Sequence, residues 1–162
     1  MRLFPFPDYD SAALEAALEE LDAVIFVRTH PNDEGHLRER QGRVVPLQGD
    51  VVPEITDALS AFDALITDYS SIYYDFLLLD RPVLFIPYDL DEYRRSPGFY
   101  LPFEEIVAGP QVDSQAVLVQ HLGQALSRSD PYAADRARVK RLIYARSDSG
   151  ATARVFDFLR TL

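Results

Sequence analysis

The sequence predicts an α/β domain built on a parallel sheet, and three observations carry that expectation. The stretch 62–89, FDALITDYSSIYYDFLLLDRPVLFIPYD, reads as strand, polar turn, apolar helix and second strand. A further apolar run, AVIFV at 23–27, precedes it and runs directly into a charged loop. From Asp113 onward the apolar spacing turns helical. Short strands apolar on both faces and joined by a helix imply a parallel sheet covered on both sides. A right-handed crossover then leaves the strand-to-helix turn at the carboxyl edge, where open α/β sheets bind ligands.

Taken in order, residues 1–9 (MRLFPFPDY) have no usable period and form an extended arm or loop. Asp10 or Ser11 caps a helix through about Leu21, with Leu14, Leu18 and Leu21 on one face. Ala23 to Val27 is a buried strand, 34–41 a solvated loop or short helix, and Arg43 to Leu47 a weak strand. A helix is expected from about Pro53 to Ala61. Then come the strand Ala64 to Thr67, the turn Asp68 to Ser71, the helix Ile72 to Leu79 and the strand Val83 to Ile86. Residues 88–105, rich in aromatics and acids and broken by Pro97, Gly98 and Pro102, form a long loop that either carries function or packs over the sheet edge. Helices follow at about Ser114–Leu126, Pro131–Tyr144 and Thr152–Arg160. The apolar Val155, Phe156, Phe158 and Leu159 of the last one indicate docking on the body. Arg136, Arg138, Lys140, Arg141 and Arg146 read as a solvated basic helix face.

Composition bounds the function. The chain has 162 residues, one domain by length, without cysteine or tryptophan. Disulfides, thiol nucleophiles and cysteine zinc sites are excluded, and a cytoplasmic setting is the expectation. A net charge of −10 argues against nucleic acid as a partner, which requires basic patches. A phosphate would therefore be held locally, by backbone amides, hydroxyls and a few placed cations. No metal or cofactor pattern stands out.

Two places offer that local chemistry. The turn after the central strand packs Asp68, Ser70 and Ser71 beside Thr67 where one helix cap would suffice. Arg28 and His30 leave the preceding strand together, ahead of Pro31. In a parallel sheet the two loops share an edge, so Arg28 and His30 could face a phosphate held by the serines, with His30 able to donate a proton. Ordinary capping by the serines and ordinary surface roles for Arg28 and His30 are the plainer alternatives.

These segments resemble a known family. LITDYSSIYYDF, then RPVLFIPYDLDEYRRSPGFY and FEEIVAGP, with VRTHP upstream and SDSGATARVFDFL at the close, are similar to the donor-binding half of CDP-glycerol glycerophosphotransferases, the teichoic-acid primases and polymerases. The likeness runs from about Ala23 to Leu159. It implies a Rossmann-like, doubly wound lobe, the C-terminal half of a GT-B fold, with the donor in a cleft between two lobes. It also implies transfer of glycerol-phosphate from CDP-glycerol to a lipid-linked hydroxyl acceptor at the inner membrane face. Carried over by position, Arg28, Thr67, Ser70 and Ser71 would bind the donor phosphates, His30 would be the catalytic group, and Asp68 and Asp75 would order the turn.

The sequence departs from that pattern in places. Pro102 stands where the family commonly has Asp, and Ala108 where it has Pro. The N-terminal lobe with its catalytic histidine and acceptor surface is expected to be absent, as is the first strand of the donor lobe. Completion by a partner chain, self-association and lack of activity alone are therefore expected. A UDP-sugar transferase or epimerase lobe and a non-catalytic interaction domain are the alternatives.

Overall fold

The computed structural model describes residues 4–28, 39–127 and 130–162. It is an α/β structure with parallel strands. Helix α1 (Ser11–Glu20) starts where Asp10 accepts hydrogen bonds from the Ala12 and Ala13 amides at 2.8 and 3.0 Å. Strand β1 (Ile25–Val27) pairs in parallel with β2 (Val44–Pro46), Ile25 facing Val44. Strand β3 (Leu65–Thr67) leads through the serine turn into α2 (Ile72–Leu77) and returns as β4 (Val83–Phe85), again parallel, with Thr67 facing Phe85. The expected βαβ unit is present, with strands and helix trimmed by a residue or two at the ends.

Helix α1 and α5 (Gln115–Leu126) bury Leu14, Leu18, Leu118 and Leu122 against Val44, Leu84 and Ile86, together with Ile25, Val27 and Ile66. All four strands thus contribute to one core. The opposite face of β3 and β4 offers Leu65, Val83 and Phe85 to α2, to α6 (Ala133–Ile143) and to the short α4 (Phe103–Ile106). The amino-terminal arm belongs to the first core through Phe4 and Phe6, and it is tied down by polar contacts. Asp8 accepts from the Gln115 amide at 2.8 Å, while the buried Gln115 side chain exchanges two 3.0 Å bonds with the Asp10 backbone. After α4 the chain comes back beside β4. The Phe85 amide donates to Pro110 O at 2.9 Å and the Val112 amide to Phe85 O at 2.7 Å. Gly109 makes this approach possible, because a Cβ there would stand 1.8 Å from the carbonyl oxygen of Val83.

Four expectations are corrected. The helix expected over Pro53–Ala61 is two single 3-10 turns, Ile55–Asp57 and Leu59–Ala61. Neither has a side-chain cap, and the β-branched Ile55 and Thr56 disfavour α-helix. The long loop 88–105 contains α3 (Leu90–Arg95) as well as α4. Arg136 does not belong to a solvated face: its side chain is 3% exposed, paired with Asp130 and, at 3.3 Å, with Asp80. The last helix, α7 (Ala151–Leu159), buries none of its residues, so its apolar side chains do not dock on the body.

Candidate functional site

The chemistry-bearing turn sits at the carboxyl end of β3. Thr67 is buried in the strand, and its carbonyl accepts from the Ile86 amide at 2.8 Å, fixing the last strand residue. Asp68 folds back so that its carboxylate accepts from the Ser70 amide at 2.9 Å. This side-chain-to-backbone bond shapes the turn as an Asx turn. Ser71 occupies the cap position of α2 in helical geometry (φ −63°, ψ −12°) without a side-chain cap bond. Both serines are exposed. Among the described residues their hydroxyls and the amides of Ser71 and Ile72 have no hydrogen-bond partner. Capping therefore does not occupy the serine side chains.

Tyr69 holds the turn in place from behind. Its ring lies among Tyr93, Phe99 and Phe103, with centroids 4.3, 5.5 and 5.7 Å away, so the aromatics of the long loop pack over the sheet edge. The Asp89 amide donates to the Tyr69 hydroxyl at 3.3 Å. Burial, and then the hydrogen bond with the Asp89 carboxylate, pushes the phenol far above its ordinary value. It stays neutral and acts as an anchor between the ends of β3 and β4.

The remaining expected site residues lie elsewhere or outside the described residues. Asp75 stands one turn into α2, where its carboxylate meets the Tyr144 hydroxyl at the end of α6. Burial and then this charge raise the Tyr144 pKa. Arg28 follows β1, and its guanidinium donates to the carbonyls of Val52 and, at 3.2 Å, Pro53. It fixes the loop after β2. His30 lies outside the described residues. Tyr69 as an anchor was not foreseen. Its place inside the serine motif and the run of aromatics at 88–103 were the available signal.

Parallel strands with a hydroxyl-bearing turn at a carboxyl end, backed by aromatic packing, define an α/β structure with exposed hydrogen-bond donors at that turn. The chain matches the family model described as CDP-glycerol:poly(glycerophosphate) glycerophosphotransferase over residues 1–161, and it belongs to that family. It is 32% identical over 149 residues to the teichoic acid glycerol-phosphate transferase of Staphylococcus aureus (strain NCTC 8325 / PS 47), covering 91% of this chain and 38% of the relative. To the teichoic acid ribitol-phosphate primase of Bacillus spizizenii (strain ATCC 23059 / NRRL B-14472 / W23) it is 31% identical over 159 residues, covering 93% and 38%. Among solved structures it is similar to the wall teichoic acid polymerase TagF, with TM-score 0.70, 23% identity and coverage of 94% and 37%. A TagF variant soaked with CDPG gives TM-score 0.70 and 25% identity, covering 94% and 38%. The chain therefore spans about two fifths of the length of these relatives. No helix among the described residues is long and apolar enough to cross a membrane.

Proposed function

We propose that this chain is the donor-binding unit of a glycerophosphotransferase, a Rossmann-like doubly wound lobe of GT-B type that grips the diphosphate of CDP-glycerol. The observation that carries the reading is the serine turn. Two exposed hydroxyls and two amides without a partner among the described residues stand together at the carboxyl end of a parallel strand in a member of this family. In a chain of net charge −10 a diphosphate gains little from the overall field. Short hydrogen bonds to ionised oxygens, each stronger than a neutral pair, supply the affinity instead. Ser70 and Ser71 donate to the phosphate oxygens, Asp68 holds the turn open by occupying the Ser70 amide, and Thr67 sets its start. Asp75 steadies the next turn of the helix through Tyr144.

In the transfer, the acceptor hydroxyl oxygen bonds to the phosphorus of glycerol-phosphate. The bond from that phosphorus to the bridging oxygen breaks, and CMP leaves with the bridging oxygen. His30 is the group we assign to move the proton. Arg28 would have to leave the Val52 and Pro53 carbonyls to reach the diphosphate. The acceptor is a lipid-linked hydroxyl, contributed together with a second lobe or partner chain that closes the cleft. The unit works at the inner face of the cell membrane as a peripheral component.

Calorimetric titration with CDP-glycerol, CTP and a UDP-sugar tests the reading. Saturable binding of CDP-glycerol, weakened by Ser70→Ala, is expected. Heat from the UDP-sugar alone would move the unit to a sugar transferase or epimerase. Silence toward every cytidine nucleotide at millimolar concentration would overturn the donor-binding role.

A further inference from the structure

Among the described residues two apolar surfaces are exposed, and their charges are complementary. The first is α7. Val155, Phe158 and Leu159 recur at the spacing of one helical stripe, and with Phe156 at its edge and Leu162 past the helix end they are 58–87% exposed. Arg154, ion-paired with Asp148 at 2.6 Å, and Arg160, with its guanidinium 5.8 Å from the Phe156 ring centre, flank the stripe. The second is the outer face of β1. Ile25 and Val27 point into the first core, whereas Val24 and Phe26 point the other way, 42% and 47% exposed, with Phe62 beside Phe26 at 5.6 Å. Parallel strands are normally buried on both faces, usually beneath helices, so this face has the form of a helix seat.

Charge says which occupant fits. Residues 138–162, past the buried Arg136, carry six Lys or Arg and two Asp, in a chain of net charge −10. Residues 44–80 carry seven acids and no Lys or Arg. Of those acids, Asp50, Glu54, Asp57 and Asp63 are exposed in the segment that borders the Phe26–Phe62 patch. A basic-rimmed apolar helix and an acid-rimmed apolar sheet face on one molecule are complementary.

We propose that α7 of one copy seats on the β1 face of a second copy, and that the exchange is reciprocal, giving a two-fold dimer. A reciprocal exchange closes and leaves neither patch open, as two-fold assemblies do. The apolar stripe covers Val24, Phe26 and Phe62, while Arg160, and Arg154 on exchanging Asp148, reach the acidic border.

Sedimentation analysis of the full chain tests this. The wild type is expected to be a dimer at micromolar concentration, weakening as salt screens the charged rim. F158D is expected to raise the dissociation constant about tenfold or more while leaving the melting temperature of the monomer unchanged, since Phe158 contributes nothing to the core. The natural absence of cysteine permits a direct map of the contact. The double variant F26C/F158C should form a disulfide between copies under mild oxidation, whereas F26C or F158C alone should not. A disulfide within one chain would mean that the helix folds back on its own sheet, and would overturn the proposal. A wild type that stays monomeric at every concentration would overturn it too. So would a monomer that sediments with phosphatidylglycerol vesicles but not with phosphatidylcholine vesicles, which would assign the helix to an anionic bilayer.

Discussion

Replacing Gly109 with alanine tests whether the return of the chain beside β4 is as tight as the backbone indicates. The added methyl would lie 1.8 Å from the Val83 carbonyl oxygen and 2.9 Å from its carbon. Both are backbone atoms of a fully buried strand, so neither can swing aside as a flexible side chain could. The segment must lift, which stretches the bonds from the Phe85 amide to Pro110 O and from the Val112 amide to Phe85 O. Overpacking in a tight core costs about 1–3 kcal/mol. Weakening two backbone hydrogen bonds adds about 1 kcal/mol each. The expected loss is therefore about 3–5 kcal/mol, which for a domain of this size lowers the melting temperature by roughly 6–20 °C. Thermal and urea unfolding, followed by circular dichroism, read this directly. The lift also shifts β4, and with it the Asp89 end that anchors Tyr69, so donor affinity should fall alongside stability. A G109A protein melting within about 1 °C of the parent would refute the close-approach argument.

The other predictions concern the turn and the second core. S70A and S71A should each weaken CDP-glycerol binding about tenfold in calorimetry, the worth of roughly one hydrogen bond to a charged oxygen, with stability changed by less than about 0.5 kcal/mol. Removing the guanidinium in R136A leaves the Asp130 carboxylate beside an apolar wall, and should cost about 3 kcal/mol in urea unfolding. The hydrogen bond from Arg136 and its charge hold the Asp130 carboxyl below its usual range against the opposing effect of burial. As pH falls the unfolded chain takes up that proton first, so the contribution is present above the ordinary carboxylate value of about 3.9 and is lost below it. Acid unfolding curves should show D130N with less stability at neutral pH and a flatter decline below about pH 4. Y73F removes the bond from the buried Tyr73 hydroxyl to Ile106 O, 3.2 Å long, and should cost about 1 kcal/mol in the same assay.

The parts of the fold that could be read in the sequence are those set by neighbours along the chain. LITDYSS and VLFIP are apolar runs bounded by polar turns, and strand and turn follow from that local contrast. Asp10 announces α1 because its carboxylate serves amides two and three residues on. What escaped is set by residues far apart. Gly109 matters because it meets Val83, and nothing adjacent to it in the sequence reports that contact. Arg136 looks like one of five cations on a helix until Asp80 and Asp130 are folded around it. Apolar spacing in α7 identifies a stripe correctly but is silent about what the stripe touches, and inward docking was the wrong completion. In the candidate site the serines were legible as surplus to capping, whereas the engagement of Arg28 by the Val52 and Pro53 carbonyls depends on a loop 24 residues away.

If TDYSS is the phosphate seat proposed above, the division of labour within it explains how an acidic protein can keep one. Helix α2 has six residues, too few for its dipole to dominate, and the net charge is unfavourable to an anion. The burden falls on hydroxyls and amides that must stay unpaired in the absence of ligand, which a flexible turn would not allow, since free serines readily bond their own backbone. Asp68 and Tyr69 prevent that collapse. The carboxylate fixes the Ser70 amide from one side, and the tyrosine, wedged among Tyr93, Phe99 and Phe103, fixes the backbone from the other. The aromatic loop thereby acts on the turn without supplying a ligand group, by stiffening it so that little ordering would remain to be done when the proposed donor binds.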